Sequence, residues 1–180
     1  MNEMITERLL IRPWRESDLA PWAAMNADPE VREHLGGILT REQSDASVAR
    51  FAAELEQRGY GWLAVETREG GEFIGFAGLD EVEEQDPVSG VEIGWRLARS
   101  AWGHGYATEA ARAVLAYGFD TLALPEILAI TTASNQRSQA VMRRLGMTHD
   151  AAEDFPDPAA PQDRARRNVV FRLRREEHAA

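Results

Sequence analysis

Apolar and polar positions change rhythm along the chain. ERLLIRPW is a short apolar run stopped by Pro13 and reads as a strand. In SDLAPWAAM, Ser17 or Asp18 serves as N-cap ahead of Leu19, Trp22 and Ala23 at helical spacing, so a short helix follows. A longer helix begins after Thr40. Thr40 and Gln43 make a capping-box pattern, Val48, Phe51, Ala52 and Leu55 share one face, and Gly59 ends the run. WLAVETREGGEFIGFAGLDEV then alternates around Gly70 and Gly71, which predicts a hairpin, and the polar loop EEQDPVSG leads to a third strand, VEIGWRL.

Beyond that strand the rhythm becomes strand, glycine loop, helix, strand, helix. The first helix, YATEAARAVLAYGFDTL, carries Ala107, Ala110, Ala111, Val114, Leu115, Phe119 and Leu122 as a stripe, and Gly146 is a natural stop for the second, NQRSQAVMRRLG. A crossover of this kind makes VEIGWRL and EILAITTA parallel neighbours. The tail has a proline-rich stretch, expected to form an ordered loop over the active face, and a last strand with Val169, Phe171 and Leu173 on one side. The chain of 180 residues, 44% hydrophobic, suits one compact α/β or α+β mixed-sheet domain over 1–180.

Composition narrows the chemistry. No cysteine is present, which excludes disulfides, thiolate metal sites and an acyl-cysteine intermediate. A net charge of −10 argues against nucleic acid as a partner and favours a cationic small molecule or basic peptide. The opening MNEMITERLL is acidic where a secretory leader is basic, and no apolar run is long enough to span a membrane, so a soluble cytoplasmic protein is expected. The four histidines show no metal-ligand spacing, and no metal is predicted.

The loop in RSAWGHGYATEA places Gly103 and Gly105 ahead of a helix. Glycines there permit positive φ and close approach of a ligand, and the helix end offers free N–H groups and a positive dipole. A tight strand-to-helix turn needs glycine with or without a ligand. The dinucleotide fingerprint fails at Thr108, and the P-loop lysine is missing.

The surroundings of this loop resemble the GNAT N-acetyltransferase superfamily, and within it the RimJ/RimL-like branch. The resemblance rests on TERLLIRPW, GFAGL, VEIGWRLARSAWGHGYATEAARAVLAYGF, ASNQRSQAVMRRLGM and VVFRL, in that order. It implies a GNAT-like fold: a central, mostly antiparallel sheet with a splayed parallel strand pair, flanked by helices. It also implies acetyl-CoA as cosubstrate, its pyrophosphate on the amides from Trp102 through Gly103, His104, Gly105, Tyr106 and Ala107 to Thr108. The pantetheine would then run along Trp95, Arg96 and Leu97. One departure stands out. The glutamine or arginine that often precedes the first glycine by three residues is Ser100 here, which removes one contact near the pyrophosphate.

The same resemblance supplies candidates for the chemistry. Glu92, with Gly94 and Arg96 on the same side of its strand, lies where the family has a carboxylate facing the acceptor; by itself it also reads as a solvated strand carboxylate. Ser138 matches the serine proposed in RimL-like enzymes as general acid to the departing thiolate, and also reads as a first-turn serine bonded to local backbone. Asn135 is an N-cap that resembles the family asparagine contacting cofactor and holding the serine. His104 is read as pointing to solvent, and Trp62, Trp95 and Tyr106 as walls of the acceptor pocket or as core.

With no cysteine, transfer is expected to be direct, in a ternary complex. An α-amine is about a tenth deprotonated at neutral pH and a lysine amine about one part in a few thousand. A small-molecule amine or peptide N-terminus is therefore the expected acceptor, selected by HLGGILTREQ and EDFPDPAAPQD. The alternatives are a noncatalytic acyl-CoA-binding or sensing module and a general nucleotide-binding domain. A homodimer is possible from family precedent.

Overall fold

The structure, a computed structural model, describes residues 3–82, 84–157 and 166–178. The chain opens with β1 (Met4–Ile5) and β2 (Leu9–Arg12), then α1 (Leu19–Ala27) and α2 (Arg41–Arg58). Three antiparallel strands follow: β3 (Trp62–Thr67), β4 (Phe73–Glu81) and β5 (Val91–Leu97). Then come α3 (Tyr106–Ala116), β6 (Glu126–Thr132), α4 (Gln136–Arg144), β7 (Thr148–His149), β8 (Phe155–Pro156), β9 (Arg167–Arg174) and the short α5 (Arg175–His178). Among the described residues the strands form one sheet in the order β1-β2-β3-β4-β5-β6-β9-β7, with β8 also against β9. Every pairing is antiparallel except β5 with β6. The sequence expectation of a mostly antiparallel sheet with one splayed parallel pair is met.

Local signals explain most boundaries. The Thr40–Gln43 capping box forms in both directions and Gly59 closes α2 at φ 78°. Val48 and Phe51 are buried as expected, but Ala52 is exposed because α2 covers the sheet with a narrow stripe. Asp18 precedes α1 but does not cap it. Its carboxylate instead takes a two-pronged bond from buried Arg12, at 2.7 and 2.9 Å, and the Arg15 N–H. The helix expected through Leu122 is α-helical only to Ala116 and continues as a π-turn over Tyr117–Thr121. There Gly118 lies so close to Ile127 that an added Cβ would stand 2.6 Å from its Cδ1.

The two faces of the sheet bury different material. One face carries Ile93, Leu97, Ile127, Ala129 and Phe171 against α3 and α4, with Ala110, Val114 and Met142 completing that core. The other carries Phe76 and Trp62 against α1 and α2, where Trp22 and Phe51 pack edge-on and tilted around them. Of the proline-rich tail, positions 158–165 lie outside the described residues, and the expected ordered loop falls mostly on them. Among the described residues no helix is long and apolar enough to cross a membrane, and no three His, Cys, Asp or Glu gather as a metal site.

Candidate active site

The parallel pair sets the site. β5 and β6 share a single paired position, Glu92 with Leu128, and then diverge. Ala98 N–H donates to Ile74 and Val82 N–H to Gly90, so the even-numbered residues of β5 aim their backbone groups at β4. By strand alternation the N–H and C=O of Trp95 aim at the opening, as do those of Ile130 on β6. A wedge with free backbone donors and acceptors on both sides can receive an extended amide-bearing ligand as an extra strand. A cleft of about 2030 Å³ runs through it, touching both faces of the sheet.

On the α3 face the cleft ends in the glycine loop. Gly103 and Gly105 have φ of 82° and 81°, and an added Cβ at Gly103 would meet open space. Gly105 is the N-cap of α3 and has no side chain to bond the first turn, which leaves those N–H groups for an external acceptor. Trp102 anchors the loop by donating from Nε1 to the Leu97 carbonyl at 2.9 Å. Thr108 is buried, Ala107 and Tyr106 are half-buried, and His104 is exposed and stacked on Tyr106.

Two arginines flank this loop that sequence reading did not single out. Arg8 lies over the Tyr106 ring at 4.7 Å and donates to the His104 carbonyl at 3.0 Å. It is held by Glu109, which also accepts from Thr6 at 2.6 Å and from the Arg8 N–H at 2.8 Å. Burial alone would raise the Glu109 carboxyl, but the bonds from Thr6 and Arg8 outweigh it and hold the group below the usual carboxylate range. From α4, Arg137 covers the Trp102 ring at 4.3 Å. Both contacts join residues 35 or more positions apart in a chain rich in arginine, so no local spacing announces them. Free amides, a helix end and two cations suit a pyrophosphate, and the open wedge suits a pantetheine arm. Acetyl-CoA fits the residues present.

Asn135 and Ser138 stand at the start of α4, next to the same cleft. Asn135 Oδ1 accepts the Ser138 N–H at 3.1 Å, and its Nδ2 donates to Ser138 Oγ at 3.1 Å and Thr131 Oγ1 at 3.0 Å. With its oxygen accepting from Asn135, the serine keeps its own hydrogen for another partner.

The opposite face carries Glu92, Gly94 and Arg96 on alternate positions. The outer edge of the Trp62 ring covers Gly94, where an added Cβ would stand 2.8 Å from it. Trp62 thus faces the α1 and α2 side, whereas Trp95 packs toward α3. The Arg96 side chain, expected beside the cofactor, stands on the face away from the glycine loop. It lies at 5.2 Å from both Trp22 and Phe76 and donates to Asn26 Oδ1 at 3.0 Å. Burial, then the nearby charge of Arg32, pushes its guanidinium down to about 9. The segment between α1 and α2 closes this side. His34 Nδ1 lies 3.2 Å from Thr132 Oγ1 and 3.3 Å from Ser134 Oγ, tying that segment to the β6–α4 turn. Only its end, from His34 on, lies within HLGGILTREQ.

Known proteins share this architecture. The profile of the acetyltransferase (GNAT) domain matches residues 8–148. YkkB of Bacillus subtilis strain 168 is 32% identical over 152 residues, covering 81% of this chain and 85% of YkkB. The crystal structure of an acetyltransferase from Agrobacterium tumefaciens strain C58 superposes with a TM-score of 0.77 at 30% identity, covering 96% of this chain and 94% of that one. RimL, a ribosomal L7/L12 α-N-protein acetyltransferase solved in complex with coenzyme A, shares the fold at a TM-score of 0.79 and 16% identity, covering 98% and 99%. The GNAT family uses acetyl-CoA. The match over 8–148, with a sheet that parts between β5 and β6 in front of a glycine loop, shows that the chain belongs to the GNAT acetyltransferase domain family and is an acyltransferase.

Proposed function

We propose that the protein is an N-acetyltransferase of the RimJ/RimL-like branch that acetylates a primary amine directly, with a peptide or protein N-terminal α-amine as the favoured acceptor class. The observation that carries this reading is the two-sided wedge: anion-binding amides on one face of the sheet, a carboxylate and an aromatic pocket on the other, joined where β5 leaves β6. Acetyl-CoA, when bound, supplies the acetyl group as a thioester already activated for transfer.

The chain's own residues do the rest. The amides of Gly103, His104, Gly105, Tyr106 and Ala107, with Arg8 and Arg137 beside them, hold the pyrophosphate; Trp102 and Thr108 shape the loop. Trp95 offers main-chain groups to the pantetheine, while Leu97 and Asn135 pack beside it. Glu92, at the last paired position before the strands part, receives the proton that the acceptor amine must lose. Ser138, its oxygen already occupied by Asn135, gives a hydrogen bond to the sulfur as the thiolate leaves, and the proton released from the amine to Glu92 returns to that sulfur through solvent. Holding the partners aligned can supply about 7 to 11 kcal/mol, more than either proton transfer. An α-amine, already partly neutral at pH 7, asks less of Glu92 than a lysine does.

Thiol release from acetyl-CoA, measured against N-terminal peptides, internal-lysine peptides, polyamines, aminoglycosides and amino acids, tests the reading. Turnover with free α-amines is expected. Acetylation confined to internal lysines would overturn the acceptor assignment, and failure to bind acetyl-CoA would overturn the whole.

A further inference from the structure

Among the described residues Arg96 is a cation without an anion. The chain carries 30 acidic residues against 20 basic ones, and a second strand arginine, the fully buried Arg12, is clasped by Asp18 and Glu66. Among the described residues Arg96 has Asn26 as its one side-chain hydrogen-bond partner, a neutral amide. That amide is fully buried and its Nδ2 donates to Ser44 Oγ at 3.2 Å, so its oxygen is fixed toward the guanidinium. The rings of Trp22 and Phe76 fix the plane of the guanidinium.

The charges nearby do not neutralise it. Asp28 and Glu30 pair with Arg99, Glu33 is beside His34, and Asp80 pairs with Arg58. The charge that acts on Arg96 is Arg32, of like sign, whose Nε and Nη2 donate to the Gly37 and Leu35 carbonyls. A half-buried guanidinium with no carboxylate against it can accept one from a ligand in the cleft. It remains protonated at neutral pH, and it lines the cleft on the same face as Gly94 and Glu92.

We propose that Arg96 is the anchor for a carboxylate on the acceptor, so that the preferred substrate is an amine bearing a carboxylate a few ångströms away. The spacing agrees. On one face of a strand, alternate residues lie about 6.6 Å apart, which puts Gly94 one such step and Glu92 two steps from Arg96. A carboxylate received by the planar fork of Arg96 leaves the attached amine on the Glu92 side, past the Trp62 edge that covers Gly94 and at the parting of the strands. Trp62, lying on Gly94, bounds this position. The carboxylate belongs either to the main chain of a free amino acid or to the side chain of an acidic N-terminal residue; the chemistry is shared. This assignment rests on the transferase reading above.

The test separates the two. Coenzyme A is titrated first into the wild-type protein. Its complex is then titrated with four product-like probes: N-acetylalanine and its carboxamide, and N-acetylaspartate amide and N-acetylasparagine amide. One carboxylate probe is expected to bind at least ten-fold more tightly than its neutral partner, the first naming a free amino acid and the second an acidic N-terminus. Arg96→Gln should erase that ratio with coenzyme A affinity retained, and Arg96→Lys should keep part of it. Equal binding of both members of each pair to the wild type, or a ratio that survives Arg96→Gln, overturns the anchor alone. A protein that binds no coenzyme A overturns the transferase reading and the anchor with it.

Discussion

Asn135 grips Ser138 twice, taking its main-chain N–H on Oδ1 and giving a hydrogen to its Oγ from Nδ2, each at 3.1 Å. One amide therefore caps α4 and fixes the direction in which the serine can donate. Removing the hydroxyl and removing its holder should differ. Ser138→Ala is expected to lower kcat by about 10² or more without changing coenzyme A affinity. Asn135→Ala should lower both kcat and the melting temperature, because a lost cap costs about 1 kcal/mol. Equal turnover in Ser138→Ala and wild type would remove the serine from the chemistry.

Glu92 gives a second prediction. Glu92→Gln keeps the shape at the last paired position of β5 and removes the proposed base, so kcat should fall by about 10² to 10⁴ at neutral pH. The loss should shrink as pH rises, because the acceptor then arrives neutral. A loss independent of pH would mean that Glu92 positions the acceptor and takes no proton.

The glycine loop is tested at its strained position. Gly105 has φ of 81°, so a β-branched residue there is opposed by about 1 to 3 kcal/mol of backbone strain. Gly105→Val should weaken coenzyme A binding at least ten-fold in calorimetry. Unchanged affinity would place the pyrophosphate elsewhere.

Acid should loosen the strap between the N-terminal hairpin and α3. Glu109 titrates below its ordinary value of 4.5 in the folded protein, so the stability it contributes is complete above that value and is lost as pH falls through its lower folded pKa. Glu109→Gln should therefore melt about 2 to 4 °C lower than wild type at pH 7, and the difference should vanish at strongly acid pH. A deficit that persists in acid would assign the effect to packing.

Gly94 separates the two ends of the site. Gly94→Ala forces the Trp62 ring to move, since the new methyl would stand 2.8 Å from it. The acceptor KM should rise while coenzyme A affinity stays as in the wild type. The reverse pattern would place Trp62 on the cofactor side.

What the sequence could reveal followed from how far apart the partners are. Thr40 and Gln43, or Asn135 and Ser138, lie three residues apart, and residue type with spacing foretells their bonds. The parallel pairing of β5 and β6 follows from a crossover whose helix is visible in the apolar stripe of α3. Arg96 and Asn26 are 70 residues apart, and Arg8 and Glu109 are 101 apart, so their pairing exists only in the folded sheet. Asp18 looked like a helix cap because its sequence neighbours are helical; a two-pronged bond to buried Arg12 outcompeted a lone N–H. The face of Arg96 was legible from strand alternation, but its want of an anion among the described residues was not.

The parting of β5 from β6 gives the molecule two doors. A ligand seated on the glycine loop would come and go past α3 and α4, and one seated beside Trp62 and Arg96 under the segment that carries His34. With an opening on each face of the sheet, neither partner need enter before the other. In kinetics that separation reads as random order, with free coenzyme A competing against acetyl-CoA but not against the amine.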